Sequence, residues 1–353
     1  MVKSTIVLPN LNNEKVLPLC FQYLKNNIDV SQHDFIVVDD GSTDNSLQIL
    51  KEELPWIGFH KYTLIEQKHK GIVCALNAAC KEVKTEFIIR IDGDATVETP
   101  GWDKRMINLM ESNKKIGMVG GTVEFDNGIV HSLGRSVFSK EGLYDIGTIP
   151  LELPGHRTFD SIVRRVPFKS VRINNLPYEV DTVLGVCVMF RKEDYDITGG
   201  FDVNYSPVWI EDDDFGIMMR KLDKINVIDP FVHIVHRVSL RGTRNVLSVY
   251  KQKKKVFSFK ASTKKMIKNL LQPIIDDSRF NDYKKRINES IQLPKEGNAW
   301  RREVLLSHYN YWETKWGFNP INPDMEKVMS LYPKFCELRI KQNWFQLLKA
   351  DVV

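Results

Sequence analysis

Short apolar runs alternate with amphipathic stretches through the amino-terminal part of the chain. Residues 4–8, 35–38 and 87–91 are mostly apolar and rich in β-formers, which indicates buried strands. Between them, apolar residues recur at helical spacing in three groups: Leu17, Cys20, Phe21 and Leu24; Leu47, Leu50 and Leu54; and Ile72, Ala75, Leu76, Ala79, Cys80 and Val83. Buried strands that alternate with helices predict an α/β fold with a mostly parallel sheet flanked by helices.

The alternation is less regular after the third of these strands. A helix is predicted to begin at residues 100–102, and strands are predicted over residues 116–121 and 183–190. Residues 127–180 are rich in glycine, proline and polar side chains, which indicates an inserted, partly irregular segment. A further helical stripe is formed by Phe215, Met218, Met219 and Leu222.

Beyond about residue 245 the pattern becomes helical and lysine-rich, and it ends in an aromatic-rich stretch. We expect residues 309–318 of that stretch to pack the helical extension onto the rest of the protein.

Composition is that of an ordinary globular protein, with 42% hydrophobic and 27% charged residues among 353 and a net charge of +5. No stretch is long and apolar enough for a membrane span, so we expect neither a signal peptide nor an anchor. The five cysteines are scattered, without a Cys-x-x-Cys pair. They are expected to be reduced, mostly buried thiols of a cytoplasmic protein.

Two carboxylates separated by one glycine, Asp92 and Asp94, follow the strand predicted at residues 87–91. At the carboxyl edge of a sheet, such oxygen donors suit a hard divalent cation. A calcium loop is excluded because Val97 and Asp103 stand where that motif needs glycine and glutamate. A plain Asp-Gly turn is the alternative interpretation.

A second pair of acids, Asp39 and Asp40, closes the strand predicted at residues 35–38. A carboxylate there can accept hydrogen bonds from a nucleotide base or a ribose hydroxyl. The alternative is a polar turn before a helix that Ser42, Thr43 or Asp44 would cap.

Residues 211–214 are four consecutive acids at the predicted start of a helix. They complement the helix dipole, and one of them could also serve as a general base. In the extended run that follows, His233 and His236 fall on opposite faces, so that one can bind a metal while the other packs. Either histidine taken alone is more often structural.

Taken in order, these motifs resemble the family 2 glycosyltransferases, which have the GT-A fold. The resemblance covers roughly residues 4–240, and its motifs are Ile6-Val7-Leu8-Pro9 with Asn12, residues 37–44, Gly71 with Ala75-Leu76-Asn77, Asp92-Gly93-Asp94, residues 199–202, Glu211-Asp212-x-Asp214, and His236. Leu76 departs from the pattern, because many members carry an arginine before the asparagine. A nucleotidyltransferase is disfavoured because a glycine-rich, lysine-bearing phosphate loop is missing.

The resemblance implies a role for each motif. The nucleotide-sugar donor, expected to be a UDP-sugar, would be bound by Pro9, Asn12, Asp39, Asp40, Gly71, Asn77, Asp92 and Gly93. Asp94 and Asp92, with His236, would hold Mn²⁺ or Mg²⁺. Asp212 would be the catalytic base, and Glu211 would orient the acceptor.

The implied reaction is a single displacement that inverts the anomeric centre and needs no protein nucleophile. The expected organisation is a GT-A catalytic domain at residues 1–245 and a helical extension at 246–353. Within the domain, residues 1–98 would bind the donor and 99–245 would form the acceptor side.

Three hypotheses for the function remain. The leading one is transfer to a saccharide acceptor, and the second is transfer to a hydroxylated base in DNA, as in phage DNA modification. The third is a non-catalytic nucleotide-binding module. Basic segments at residues 156–172 and 251–268 could attract DNA or an anionic membrane surface, or could be solvated helix faces.

Overall fold

Parallel strands and helices alternate through the amino-terminal part of the computed structural model, which describes residues 2–138, 144–145, 148–150, 163–165, 176–240, 299–321 and 323–333. The first elements are β1 (Ser4–Asn10), α1 (Leu17–Asn27), β2 (His33–Asp39), α2 (Ser46–Ile57), β3 (Lys61–Glu66), α3 (Ile72–Glu82) and β4 (Phe87–Ile91). Each predicted strand and helix of this part is present.

The middle of the chain adds shorter strands and two further helices. Its elements are β5 (Ala95–Val97), α4 (Trp102–Ser112), β6 (Ile116–Phe125), β7 (Val130–Ser132), β8 (Arg135–Ser136), β9 (Tyr144–Asp145), β10 (Thr148–Pro150), β11 (Val163–Arg165), β12 (Tyr178–Val180), β13 (Cys187–Arg191) and α5 (Lys192–Thr198). They are followed by α6 (Glu211–Lys221), β14 (Ile225–His236), α7 (Ala299–Trp316) and α8 (Met325–Leu331).

The main sheet has the strand order β12-β14-β6-β13-β4-β1-β2-β3. Strands β3, β2, β1 and β4 are parallel, while β13 is antiparallel to both of its neighbours, β4 and β6. This mixed, mostly parallel α/β sheet confirms the predicted fold class. Because β1, β2 and β4 run in the same direction, the polar motifs that follow them meet at one edge of the sheet.

Helices cover both faces of this sheet. Alternate strand residues enter different cores, with Val7 and Ile88 on one face and Ile6 and Ile89 on the other. The first core also holds buried residues of α3, α6 and α7, and the second holds those of α1, α2 and α4. A sheet buried on both sides explains why its strands are continuous apolar runs.

Strand β3 was not predicted from the sequence. It forms the edge of the sheet beside β2, and its side chains are exposed or half-buried rather than buried. An edge strand lacks the apolar run that identified the others, although Tyr62, Thr63 and Ile65 are good β-formers.

Several predicted boundaries were wrong. The strands predicted over residues 4–8 and 116–121 continue to Asn10 and Phe125. The strand expected over residues 183–190 begins only at Cys187, because Gly185 and Val186 form a turn. Gly185 N in this turn donates to the Asp212 side chain.

Helix α2 begins at Ser46 with Asn45 as N-cap, and the Asn45 side chain makes no capping hydrogen bond. Of the three expected caps, Asp44 accepts from Ser46 N at 2.9 Å. Ser42 instead donates to Asp39, at an Oγ–Oδ1 distance of 2.6 Å.

Several predictions concern residues outside the described part of the chain. The basic segment 251–268 and the boundary expected between residues 245 and 246 lie there, and segment 156–172 is described only over Val163–Arg165. Four cysteines fall within the described ranges and all are free thiols, Cys74 half-buried and the others buried. None of the helices in those ranges is long and apolar enough to cross a membrane.

Phe190 of β13 lies at the centre of an aromatic cluster that supports helix α6. It is fully buried, and its ring centroid lies 4.9 Å from that of Phe215 and 5.9 Å from that of Phe201. We expect Phe190→Ala to lower the free energy of unfolding by about 3–5 kcal/mol, measured by chemical denaturation. The control Trp56→Ala removes a side chain that is 80% exposed and should change it by less than about 0.5 kcal/mol. Equal losses in both variants would contradict this packing.

Candidate active site

A buried arginine joins two acidic motifs, the Asp-Gly-Asp motif at residues 92–94 and the four acids at residues 211–214. Arg90 of β4 is 3% exposed; its Nε donates to Asp92 Oδ1 and its Nη1 donates to Glu211 Oε1, both at 3.1 Å. Burial alone would lower the pKa of Arg90, but the neighbouring carboxylates raise it, so the guanidinium remains charged. Arg90 and Glu211 are 121 residues apart in sequence, and this cation holds the two motifs at one site.

The turn at Gly185 and Val186 fits between these motifs. Gly185 N donates to Asp212 Oδ2 at 2.8 Å, and Asp92 N donates to Val186 O at 2.9 Å. A Cβ atom on Gly185 would lie 2.6 Å from the guanidinium carbon of Arg90. The turn therefore needs glycine in order to approach Arg90, and it fixes the backbone around both motifs.

Glycine is also required in the middle of the Asp-Gly-Asp motif. A Cβ on Gly93 would lie 2.8 Å from Asn13 Nδ2 and 3.3 Å from Asn10 Oδ1. Asn10 follows the buried Pro9 in β1, so the motif packs directly against the end of the neighbouring strand. These contacts place Pro9 and Gly93 in the framework of the site.

Asp94 faces His236. The residue is 1% exposed, and its Oδ2 lies 3.3 Å from His236 Nε2. Antiparallel pairing of β5 with β14 sets His236 opposite Ala95 and produces this approach. His233 lies near Glu124 instead, with 3.3 Å between its Nε2 and Oε1. The two histidines thus have different partners, as their spacing predicts.

The donor set at Asp94 fits a divalent cation that is shared with a substrate. A carboxylate and an imidazole suit Mn²⁺, and Mg²⁺ accepts carboxylates together with phosphate oxygens. In the described ranges no three His, Cys, Asp or Glu side chains converge as a closed metal centre. Asp94 and His236 therefore offer two protein ligands, with Asp92 close by, and a bound cation would need further ligands from a substrate or water.

Asp40 holds a loop at the edge of the sheet. Its two carboxylate oxygens are contacted by Gln67 Nε2 at 2.6 Å, His69 Nδ1 at 2.7 Å, Lys70 N at 2.9 Å and Gly71 N at 2.9 Å. A carboxylate has about four acceptor positions, so the four donors of loop 67–71 fill those of Asp40.

Asp39 is likewise engaged within the protein. Asn10 Nδ2 donates to Oδ1 at 2.8 Å, and Ser42 N donates to Oδ2 at 3.0 Å. Asn12 continues this network, because its backbone N donates to Ser42 Oγ at 3.0 Å and its Oδ1 accepts from Thr43 N at 2.8 Å. Asn12 also has a positive φ of 55°, a conformation that asparagine tolerates better than most residues.

Asn77 and Gly71 join α3 to residues 201–207. These residues precede the acid cluster, which is residues 211–214. Asn77 Nδ2 donates to Phe201 O at 2.7 Å, and its Oδ1 accepts from Phe201 N at 3.0 Å and from Tyr195 OH at 2.7 Å. Gly71 has φ of 92°, and a Cβ there would lie 2.5 Å from the backbone of Pro207. The Asn77 side chain is thus committed to bonds between elements of the fold.

The members of the acid cluster have different partners in the first turn of α6. Asp213 is fully buried and accepts from Arg135 Nη1 at 2.5 Å and from Thr182 Oγ1 at 2.6 Å. Asp214 accepts from α7, as described below. Asp212 is 6% exposed, the highest value in the cluster. Its Oδ2 accepts from Gly185 N, and its Oδ1 accepts from Asp213 N at 3.0 Å and from Arg135 Nη1 at 3.5 Å. Glu211 and Asp212 are therefore the two acids directed toward Arg90 and the Gly185 turn.

Sequence reasoning missed several residues of the site. Arg90 is the one charge within an apolar strand, which was an available signal. Gly185 carried none, since its role depends on contacts with Arg90 and Asp212. Trp316 was expected to pack, but its bond to an acid of the cluster was not foreseen.

A family model described as "Glycosyl transferase family 2" matches residues 5–197, more than half of the chain. The chain therefore belongs to this family.

Individual proteins are similar to this chain over shorter stretches or at lower sequence identity. "Poly(ribitol-phosphate) beta-N-acetylglucosaminyltransferase TarS" of Staphylococcus aureus is 30% identical over 95 residues, which are 27% of this chain and 16% of that protein. "Glycosyltransferase GlyA" of Streptococcus pneumoniae is 28% identical over 153 residues, 40% of this chain and 20% of that protein. The chain thus matches a small part of each curated relative. Among solved structures, GalNAc-T7 with UDP, GalNAc and Mn²⁺ aligns with a TM-score of 0.49 at 13% identity, covering 94% of this chain and 58% of that one.

We expect Glu211→Gln to change how stability depends on pH. Burial, reinforced by Asp212 and opposed by Arg90, raises the pKa of Glu211 to about 7 from 4.5. A raised pKa contributes stability that is complete below the unfolded value and is lost as pH rises through the folded value. Glutamine does not ionise, so the melting temperature of the variant relative to wild type should rise between about pH 5 and 8.

The control for that comparison is Glu82→Gln, which alters an exposed side chain on α3. Its melting temperature should follow wild type across the same range. Parallel curves for Glu211→Gln and wild type would show that the folded protein does not perturb Glu211.

Proposed function

We propose that this protein is a metal-dependent, inverting glycosyltransferase. It transfers a sugar from a nucleoside-diphosphate sugar, with a UDP-sugar as the first candidate, to a hydroxyl of a saccharide. The observation that carries the proposal is the Arg90 bridge, which brings the Asp-Gly-Asp motif and the acid cluster together at the carboxyl edge of the parallel strands. Membership of glycosyl transferase family 2 supports the reaction class.

The donor would lie along the edge formed by the ends of β1, β2 and β4. Asp39 and Asp40 hold the loops that bound this edge, at residue 42 and at residues 67–71. Their proposed contribution to donor binding is to shape the nucleoside site through these loops. Asn12, Asp92 and Gly93 border the same edge.

A divalent cation bound by Asp94 and His236, with Asp92 nearby, would neutralise the charge that develops on the departing diphosphate. Arg90 fixes the Asp92 carboxylate beside this position. The burial of Asp94 excludes water from its carboxylate, which strengthens its attraction for a cation.

Asp212 is the proposed general base. It would accept the proton of the acceptor hydroxyl as that oxygen attacks the anomeric carbon from the face opposite the leaving diphosphate. The Gly185 N–H holds one of its oxygens in place. Glu211 is fixed by Arg90 through Oε1, while Oε2 has no hydrogen-bond partner in the described part of the chain. Glu211 Oε2 would therefore accept a hydrogen bond from the sugar acceptor and orient it.

Metal and donor binding should depend on Asp94. In a thermal-shift screen, the preferred nucleotide sugar with Mn²⁺ should stabilise the wild type, by about 2.7 kcal/mol at a ligand concentration 100 times Kd. Asp94→Asn should lose the Mn²⁺-dependent part of this stabilisation because a charged ligand oxygen is removed. Asp223→Asn alters an exposed carboxylate and should respond like wild type. If Asp94→Asn retains the full response, the proposed metal site is wrong.

The two acids facing the site should have separable roles in turnover. Asp212→Asn keeps the shape of the side chain but cannot accept the proton, so kcat should fall by about 10²–10⁴-fold. Glu211→Gln should mainly raise KM for the acceptor, since its contact is one of orientation. Steady-state kinetics with the donor and acceptor found by the screen would measure both. A larger loss of kcat in Glu211→Gln than in Asp212→Asn would instead make Glu211 the general base.

A further inference from the structure

Helix α7 reaches the acid cluster from the carboxyl-terminal part of the chain. Trp316 Nε1 donates to Asp214 Oδ1 at 2.8 Å, and Lys315 Nζ donates to Asp214 Oδ2 at 2.8 Å. Asp214 is 2% exposed, and Trp316 is equally buried. Both oxygens of an acid in the first turn of α6 are therefore held by α7.

The same lysine holds a second acid. Lys315 Nζ also donates to Asp202 Oδ2 at 2.7 Å, and Tyr311 OH donates to that oxygen at 2.9 Å. Asp202 and Asp214 lie at the two ends of segment 202–214. Lys315 thus ties together the ends of the segment that carries Glu211 and Asp212.

Helix α7 also contacts the middle of this segment. His308 Nε2 lies 3.2 Å from Ser206 O, and the buried Tyr205 ring packs edge-on against His308 and Tyr311, at centroid distances of 5.5 and 5.3 Å. Segment 202–214 is therefore in contact with α7 along much of its length.

The segment touches loop 67–71 and its neighbour Ile72 as well. Ile72 N donates to Pro207 O at 2.8 Å, and Ser206 Oγ donates to Lys70 O at 2.7 Å. Trp209 and Ile210, just before the acid cluster, have φ of 77° and 72°. Such conformations cost about 1–3 kcal/mol each in residues other than glycine and persist only where surrounding contacts enforce them.

We propose that Lys315 and Trp316 are positioning residues for the transfer reaction. Their hydrogen bonds hold segment 202–214 against α7, so that Glu211 and Asp212 face the edge of the sheet where the donor would lie. This positioning is called the brace below. Both residues lie outside the range 5–197 that the family model matches. The inference rests on the proposed function and assigns part of its active-site geometry to the carboxyl-terminal helix.

Two tryptophans one helical turn apart provide the test. Trp312 is as buried as Trp316 and lies on the same helix, but its Nε1 has no hydrogen-bond partner among the described residues. Trp316→Phe and Trp312→Phe thus remove similar indole volume, while only the first removes a bond to Asp214. Trp316→Phe should lower kcat by about 10–100-fold, the scale expected for a small displacement of reacting groups, with KM for the donor within about twofold of wild type. Trp312→Phe should retain kcat.

The charge of Lys315 can be tested separately. Lys315→Met keeps the aliphatic stem but leaves Asp202 and Asp214 without their shared cation, so kcat should again fall by about tenfold or more. Lys315→Arg restores a cation and should recover most of the lost activity. Lys327→Met, on the exposed face of α8, is the control for removing a lysine.

Hydrogen–deuterium exchange of residues 203–213 separates this inference from the proposed function. Faster exchange there in Trp316→Phe than in Trp312→Phe, together with the selective loss of kcat, supports the brace. Equal kcat in the two variants overturns it, whatever the exchange shows. If the wild type transfers no sugar from any nucleotide sugar, the proposed function fails, and equal exchange in the two variants would then refute the brace on its own.

Discussion

A buried guanidinium costs several kcal/mol of desolvation unless carboxylates surround it. Arg90 lies in the central strand β4 and meets this requirement with Asp92, which directly follows that strand, and with Glu211 of α6. The same contacts require glycine at position 185, since a side chain there would collide with the guanidinium. Folding around Arg90 therefore places the two acidic motifs and the Gly185 turn at one point. The contacts of this one buried charge therefore join the Asp-Gly-Asp motif to the start of α6.

The acids near this point divide into two groups by what they contact. Asp39, Asp40, Asp213 and Asp214 are bonded to loops, to Arg135 and to α7, and they hold the framework. The remaining acids are Asp92, Asp94, Glu211 and Asp212. Asp94, Glu211 and Asp212 are buried as well, while Asp92 is half-buried. These four acids lie around Arg90, His236 and the Gly185 turn. The proposed chemistry belongs to this second group because its members lie at the carboxyl edge of the parallel strands, where a donor would be bound.

The sequence predicted the elements whose signals are local. Apolar runs identified β1, β2 and β4, and helical stripes identified α1 to α4, because burial imposes those periodicities directly. The resemblance to family 2 glycosyltransferases implied one metal site for Asp94 and His236, and the structure brings the two side chains within 3.3 Å. The sequence could not predict the Arg90–Glu211 pair or the contact of Lys315 with Asp214, since pairing over 100 or more residues depends on the tertiary fold. The edge strand β3 was not predicted because its side chains are exposed or half-buried and it has no continuous apolar run.

We propose that the Asp-Gly-Asp motif and the acid cluster form a single reaction centre around a cation and a nucleoside diphosphate. A crystal structure of the protein with UDP and Mn²⁺ would test this proposal. We expect Mn²⁺ bound by Asp94 and His236, the diphosphate completing its coordination, and Asp212 on the side where the anomeric carbon of a donor would lie. Mn²⁺ bound away from Asp94, or a diphosphate on the far side of the sheet from Asp212, would contradict the proposal.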